Sequence, residues 1–155
     1  MSRVRTALRG AAAGAAAATA WSALEPVAAR VIGTTYTDVR LLGRLVSPGR
    51  WAVAGTAVHA ANGAAFGALF ALAGRRGPRA GLLWTGVETL ATWPGMALMD
   101  RVHPDRRSGH WPDPLISDRR VFAQEAVMHA VFGLLLGAML REDGAEQAPA
   151  PRAGA

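Results

Sequence analysis

The sequence predicts an all-α protein, folded as a four-helix transmembrane bundle with a short interfacial helix between the first and second spans. Three observations favour this class. Hydrophobic residues make up 51% of the 155 residues and charged residues only 18%, which is more apolar than soluble domains are on average. Four apolar runs of about 20 residues, each long enough to cross about 30 Å of hydrocarbon, are separated by connections that carry the arginines. Glycines four residues apart recur within the runs and permit close helix packing.

The first predicted span covers about residues 6–31 and follows two arginines near the start of the chain. A basic start before a run of small residues is also typical of signal peptides, but a core of alanine rather than leucine favours a retained helix. Glu25 and Pro26 lie where a spanning helix would continue, and a proline inside a helix removes one backbone hydrogen bond. We therefore expect a first span of low hydrophobicity with a bend near Pro26.

The connection after this span contains one short amphipathic segment. Thr37 and Asp38 are of the type that caps helices, and apolar residues follow at helical spacing. Those apolar residues are Val39, Leu42 and Val46. The pattern predicts an interfacial helix that lies on the membrane, with Arg40 and Arg44 turned toward water or lipid headgroups.

The second and third spans are predicted over about residues 51–74 and 80–99. The second contains no charged residue, whereas the third carries Glu88 near its centre and Pro94 in its second half, where we expect a kink. The short loop at residues 75–79 joins the two spans, so they are expected to be antiparallel neighbours.

A second long connection, residues 100–120, precedes the fourth span at about residues 121–140. Its three prolines exclude a regular helix through the connection. Its acidic and histidine side chains are expected either to be solvated or to form a lip over a metal site; they are Asp100, His103, Asp105, His110 and Asp113. Residues 1–142 thus form one polytopic membrane domain, and the polar, Ala/Pro-rich residues 143–155 are expected to be a disordered tail.

The fourth span carries two titratable residues on one face, although such groups are rare within a bilayer unless they have a partner. Glu125 and His129 lie one helical turn apart, and His59 and His129 are each expected about 12 Å from the same side of the membrane, at 1.5 Å per residue. Polar residues of the other spans fall on the faces that carry the closely spaced glycines. We predict a buried polar cluster of Glu25, His59, Asn62, Glu88, Glu125 and His129, with helix packing at Gly63, Gly67, Gly133 and Gly137.

Three short segments carry a resemblance to a known family. The fourth span combines Glu125-x-x-x-His129 with Arg141-Glu142 after the helix, the first ends in the segment 21–26 (WSALEP), and the third begins with the segment 83–86 (LWTG). In these features the chain resembles the YagU-like family of small bacterial inner-membrane proteins, over scattered positions within residues 6–142. Glu88 departs from the family pattern. The resemblance implies a polytopic inner-membrane protein and no particular reaction.

Two interpretations of the polar cluster are open. The favoured interpretation is a hydrogen-bonded clamp that fixes helix register in a structural or interaction protein; the alternative is a cation or proton site in a transport-related protein. As a metal site, its ligands would be His59, Glu88, Glu125 and His129, a set of nitrogen and oxygen donors that suits zinc or iron. Haem b between the two histidines is disfavoured, because a carboxylate adjoins one of them.

Other classes of function are less favoured. No nucleophile motif accompanies the histidines, so an enzyme is the weaker interpretation. The net charge is +6, but the arginines flank apolar runs instead of forming a basic groove, which argues against a nucleic-acid partner. The expected partners are the lipid bilayer and either a second copy of the chain or another membrane protein. The expected location is the bacterial plasma (inner) membrane, with several spans and both termini inside.

Overall fold

The computed structural model describes residues 2–141, and the predicted tail at residues 143–155 lies outside the described residues. Within residues 2–141 the chain is helical, as predicted, and contains no strand. Short 3-10 turns at Pro48–Arg50, Trp93–Gly95 and Leu115–Ser117 connect some of the helices. The α-helices are α1 (Arg3–Ile32), α2 (Asp38–Val46), α3 (Trp51–Leu72), α4 (Gly77–Thr92), α5 (Met96–Val102), α6 (Pro104–Arg107) and α7 (Arg119–Met139).

The ends of the long helices have local causes. α1 ends at Gly33, whose φ of 81° lies in the left-handed region that glycine adopts without a steric penalty. Asp118 begins α7 by accepting two backbone N–H groups of the first turn. α1 runs through Pro26 without a break, whereas the 3-10 turn at Trp93–Gly95 separates α4 from α5 at the predicted kink. The first, second and fourth predicted spans thus match single helices within a few residues, and the third is split in two.

The short helix predicted in the first connection is α2. Thr37 caps it by accepting a backbone N–H of its first turn. The buried face differs from the predicted one, since Leu41 and Gly43 are buried whereas Val46 is 62% exposed. The reason is close docking on α3: a Cβ at Gly43 would lie 1.9 Å from the carbonyl oxygen of Trp51. α2 therefore packs against α3 through the side that carries Gly43.

The long helices form two pairs. α1 packs along α3 and α4 packs along α7, while contacts between α1 and α7 join the pairs. The expectation that α3 and α4 pack as neighbours is met in part by aromatic side chains, since the ring centroids of Phe66 and Phe70 lie 6.4 and 6.0 Å from that of Trp84. A cleft of about 480 Å³ lies between α3 and α4, with Arg75 and Glu88 among its lining residues. The cleft exists because α3 packs along α1 and α4 packs along α7, so α3 and α4 do not pack closely on each other.

Glycine contacts explain the pairing of α1 with α3. A Cβ at Gly14 would lie 2.0 Å from the carbonyl oxygen of Gly63, and one at Gly67 would lie 2.2 Å from that of Gly10. Real Cβ atoms do not approach a carbonyl oxygen so closely, and only glycine permits this separation of the backbones. The predicted packing positions Gly63 and Gly67 therefore face the glycine pair of α1.

A second glycine interface pairs α4 with α7. A Cβ at Gly81 would lie 1.9 Å from the carbonyl oxygen of Gly133, and one at Gly137 would lie 2.3 Å from that of Gly77. Gly133 and Gly137 are thus packing positions, as predicted. Their partners were not predicted, because Gly77 lies in the loop predicted at residues 75–79 whereas α4 begins at Gly77 and carries Gly77 and Gly81 as a pair.

The second long connection folds against α2 and is not simply solvated. Asp105 is 0% exposed, and its carboxylate accepts hydrogen bonds from Nε of Arg40 at 2.5 Å and Nε of Arg44 at 3.1 Å. The prediction that Arg40 and Arg44 face water or headgroups is therefore wrong. Charge-assisted hydrogen bonds stabilise a buried carboxylate more than neutral ones do, and these two guanidinium groups supply them.

The predicted metal lip is also wrong for His103, which uses both ring nitrogens within the protein. Its Nε2 donates to the carbonyl oxygen of Leu41 at 3.1 Å, and its Nδ1 accepts the N–H of Asp105 at 3.2 Å. The imidazole also stacks on Trp111, with 4.6 Å between the ring centroids. Burial lowers the pKa of His103 below its usual 6.5, which favours the neutral ring that these two hydrogen bonds require. Asp100 likewise accepts two backbone N–H groups.

Two helical segments of the described chain are long and apolar enough to cross a membrane, Pro48–Leu72 and Arg119–Met139. They correspond to the second and fourth predicted spans. The helices at the first and third predicted spans do not meet the same criteria of length and hydropathy.

Candidate functional site

Ionisable side chains from four long helices converge in the interior. α1 contributes Glu25, α3 contributes His59, α4 contributes Glu88, and α7 contributes Glu125 and His129. Glu25 is the most deeply buried, at 1% exposure, and Glu88 is the least, with 23% of its side chain exposed. Glycine contacts hold the two helix pairs in register, and this fixes the heights of these groups relative to each other.

His129 lies close to two carboxylates. Its Nε2 is 3.7 Å from Oε2 of Glu88, and its Nδ1 is 3.7 Å from Oε2 of Glu125. Because Nδ1 also donates to the Glu125 carbonyl oxygen at 2.9 Å, this nitrogen carries a proton. In the neutral ring, Nε2 therefore presents a lone pair on the side of Glu88, which is the form of imidazole that binds a metal.

His59 has a separate set of partners. Its Nδ1 is 3.0 Å from Oγ of Ser22, and its Nε2 is 4.0 Å from Oδ2 of Asp38. The Trp21 indole packs edge-on against both histidines, with ring centroids 5.0 Å from His59 and 4.7 Å from His129. The polar partners of His59 thus lie on α1 and at the start of α2, whereas Nε2 of His129 faces Glu88 of α4.

The tightest group of carboxylates is Glu25, Asp38 and Glu125. One oxygen of each lies within 4.8 Å of the other two. Glu25 brings this group to the start of α2, because its carboxylate accepts the N–H of Asp38 at 2.5 Å and that of Val39 at 3.3 Å. The Tyr36 hydroxyl donates to Oδ1 of Asp38 at 2.5 Å. Three helices therefore supply carboxylates to one place.

One buried oxygen in this group lacks a partner. Glu125 is 4% exposed, and its Oε1 makes no hydrogen bond with any residue that the structure describes. A carboxylate oxygen that has left water without gaining a donor is unfavourable. An ion, a water molecule or a proton at this position would remove that penalty.

A cavity of about 340 Å³ adjoins these groups. Carboxylates and imidazoles line it on one side, and aromatic and aliphatic side chains complete its walls. Its volume suits a small hydrated ion or a small organic cation, and its position makes the ionisable groups reachable without unfolding. The ionisable residues that line the cavity are Asp38, His59, Glu88, Glu125 and His129.

The predicted ligand set of His59, Glu88, Glu125 and His129 does not form one group. Within residues 2–141, the set whose ligand atoms approach one another closely is Glu25, Asp38 and Glu125. His59 is displaced from the predicted set because it is held by Ser22 and Asp38. Asn62, predicted to belong to the buried cluster, lines the cavity but is an exposed residue.

Asp38, Ser22 and Trp21 contribute to the site, but the sequence patterns did not identify them as site residues. Asp38 was predicted only to cap a helix. The sequence does allow the contact between Glu25 and the start of α2 to be predicted. A carboxylate within a span needs N–H donors, and the first turn of the next helix has free backbone N–H groups nearby. Glu25 finds them there, 13 residues further along the chain. Gln124 was missed as well, and it is 0% exposed and donates to the Tyr36 carbonyl oxygen.

Comparison with known proteins adds no assignment. No protein-family model, no curated protein and no solved structure matches this chain. The functional conclusion therefore depends on the geometry of the site.

Proposed function

We propose that this chain is a cation-binding integral membrane protein, which holds a small cation among the carboxylates and imidazoles of its buried cavity. The observation that carries the proposal is the spacing of these groups. The three imidazole–carboxylate pairs are 3.7, 3.7 and 4.0 Å apart, which is longer than a hydrogen bond, and Glu125 Oε1 has no partner within the described chain. In a purely structural clamp these gaps would be closed by direct hydrogen bonds. The spacing supports a site that a ligand completes.

The composition of the cavity wall favours a positive ligand. Asp38, Glu88 and Glu125 line the cavity, and with both histidines neutral any charge on its ionisable wall is negative. Trp21 and Phe66 line it too, and the faces of aromatic rings attract cations. Among the described residues, no arginine lines this wall to attract an anion.

We further propose that the helices form a four-helix transmembrane bundle in the bacterial plasma membrane. Support comes from apolar side chains on the outer surface of α1, α3 and α4: Val31, Val53 and Leu83 are 81%, 74% and 74% exposed. Lipid suits such a surface better than water does. α1 has 30 residues and so extends about 45 Å, more than the hydrocarbon thickness. The resemblance to YagU-like inner-membrane proteins supports the same location, with the bilayer, a second copy or another membrane protein as partners.

A structural or interaction role is the second candidate, and one observation favours it. Glu25 accepts two backbone N–H groups of α2 and the Trp21 indole N–H at 3.4 Å, so part of the cluster fastens α2 to α1. In that case the cavity would be incidental. The two roles differ in whether added cations change the stability of the protein.

Cation binding predicts a ligand-dependent gain in stability that requires Glu125. A ligand at 100 times its dissociation constant stabilises the folded state by about 2.7 kcal/mol. We expect one member of a panel of Na⁺, K⁺, Mg²⁺, Mn²⁺, Zn²⁺ and tetramethylammonium to raise the melting temperature of the detergent-purified protein. The Glu125→Gln variant should show little of this increase, because the amide loses the charge that attracts the cation. Circular dichroism melting curves at constant ionic strength measure the effect.

Asp113→Asn provides the control, because it removes a carboxylate from an exposed position outside the cavity. It should respond to the same cation as the wild-type protein does. If no cation stabilises the wild-type protein more than Glu125→Gln, the binding role is rejected. A lower melting temperature of Glu125→Gln in every buffer would then support the structural role.

A further inference from the structure

The geometry points to a divalent metal site formed by Glu25, Asp38 and Glu125, with the imidazole of His59 beside it. This inference rests on the proposed cation-binding function and names both the class of ligand and the residues that hold it. This set of ligands differs from the one predicted from the sequence. Glu25 and Asp38 are added to it, and Glu88 and His129 are no longer ligands.

The spacing of the three carboxylates fits a shared ion. One oxygen of each lies within 4.8 Å of the other two. Divalent cations bind carboxylate oxygens at about 2.0–2.6 Å, so two oxygens on one ion are at most about 4–5 Å apart. The carboxylates are therefore already close to the spacing of an occupied site, and small side-chain rotations would close it.

The unpartnered oxygen of Glu125 is a second, independent indication of a ligand. The Glu125 side chain is 5% exposed, and Oε1 has no hydrogen-bond donor among the described residues. Glu25 and Asp38 do have donors, but these leave lone pairs free, since each carboxylate offers about four acceptor positions. A metal ion between the three groups would supply the missing partner.

Charge balance favours a cation at this place. The donors to Glu25 and Asp38 are backbone N–H groups, an indole and a phenol, and none of them carries a charge. Arg40, two residues after Asp38, is turned away and paired with Asp105. Within the described part of the chain, the ionisable donors that face the three carboxylates are the Tyr36 phenol and the two imidazoles, of which only the imidazoles can become positively charged. Three buried carboxylates are stable only if protons neutralise some of them or positive charge compensates them, and a metal ion supplies that charge.

The neighbouring imidazole narrows the class of metal. Oγ of Ser22 lies 3.1 Å from the Ala18 carbonyl oxygen and 3.0 Å from Nδ1 of His59. When the Ser22 hydroxyl donates to that carbonyl oxygen, Nδ1 is the donor to Ser22 and carries the proton of the imidazole. In the neutral ring, Nε2 then directs a lone pair toward Asp38, 4.0 Å away. Carboxylates suit Mg²⁺, Ca²⁺ and Mn²⁺, whereas imidazole suits transition metals. Mn²⁺ and Fe²⁺ accept both kinds of ligand.

The test is Mn²⁺ binding by the full-length, detergent-purified protein, followed by the loss of the electron paramagnetic resonance signal of free Mn²⁺. We expect one bound Mn²⁺ per chain. Asp38→Asn and Glu125→Gln should each weaken binding by about 100-fold, since loss of even an outer partner of a metal ligand costs about 10–100-fold. Asp113→Asn removes an exposed carboxylate outside the cavity; it is the control and should bind Mn²⁺ as the wild type does. Glu88→Gln changes a carboxylate that lines the cavity but lies outside the group of three, and it should weaken binding far less than Asp38→Asn does. Helical circular dichroism without metal verifies that each variant folds.

The outcomes separate this inference from the proposed function. If Mn²⁺ binds and Glu88→Gln weakens it as much as Asp38→Asn does, cation binding in the cavity stands and the carboxylate site is rejected. If Mn²⁺, Zn²⁺ and Ca²⁺ all fail to bind while a monovalent or organic cation stabilises the protein, the metal is rejected and the function stands. If no cation binds, both are rejected. Should Asp38→Asn not fold, Glu125→Gln alone decides between these results.

Discussion

Gly81→Ala is expected to destabilise the protein strongly, although it adds a single methyl group. The new Cβ would lie 1.9 Å from the carbonyl oxygen of Gly133 and 2.8 Å from its carbonyl carbon. These are backbone atoms that cannot rotate away, so α4 and α7 must separate along their interface. Overpacking of this kind costs about 1–3 kcal/mol and occasionally more. The free energy of unfolding in mixed micelles, followed by helical circular dichroism during an SDS titration, measures the loss.

Gly86→Ala is the matched control, since it makes the same change in the same helix. A Cβ at Gly86 meets nothing within 4 Å. Alanine is more favourable than glycine within a helix by about 1 kcal/mol, so this variant should be as stable as the wild type or slightly more so. Equal stability of Gly81→Ala and Gly86→Ala would mean that α4 and α7 do not approach as closely as described here.

The helices and much of their packing could be predicted because their causes are local. Apolar runs with capping residues mark the helices, and glycines four apart mark the faces that meet. Gly63 and Gly133 both lie at such contacts. The same local reasoning could not choose partners: the short loop at residues 75–79 suggests that α3 and α4 pair, whereas glycine contacts pair each of them with another helix.

The candidate site was only partly predictable, because its geometry depends on how two connections fold back on the bundle. Glu25 meets Asp38 only because α2 docks on α3, and no periodic pattern encodes that docking. Trp111 shows the same limit. Its sequence context is typical of an interfacial anchor, but it is 2% exposed because it stacks on His103. Whether a polar connection is buried depends on tertiary contacts between residues that are distant in the sequence. The local composition of the connection therefore does not predict its burial.

Asp105→Asn should release α2 from the second long connection. The carboxylate is 0% exposed and binds both Arg40 and Arg44, and the Arg40 guanidinium lies 5.1 Å from the centroid of the Trp51 ring. Removing one partner of a buried ion pair costs about 3–5 kcal/mol, and we expect the lower end because the two arginine side chains are 22% and 25% exposed. The same SDS titration should show a large loss of stability for Asp105→Asn at neutral pH. Asp113→Asn, an exposed change in the same connection, should leave stability unchanged.

The pH dependence of this loss identifies the charge as its cause. Burial alone would raise the pKa of Asp105, but the hydrogen bonds and charges of Arg40 and Arg44 outweigh burial and lower the pKa below its usual 3.8. A carboxyl group with a lowered pKa adds stability that is complete above the pKa of the unfolded state and is lost as the pH falls through the pKa of the folded state. The stability difference between the wild-type protein and Asp105→Asn should therefore be constant from pH 7 to about pH 5 and shrink progressively below pH 3.8. A difference that persists unchanged at low pH would show that the shape of the side chain, and not its charge, holds α2 in place.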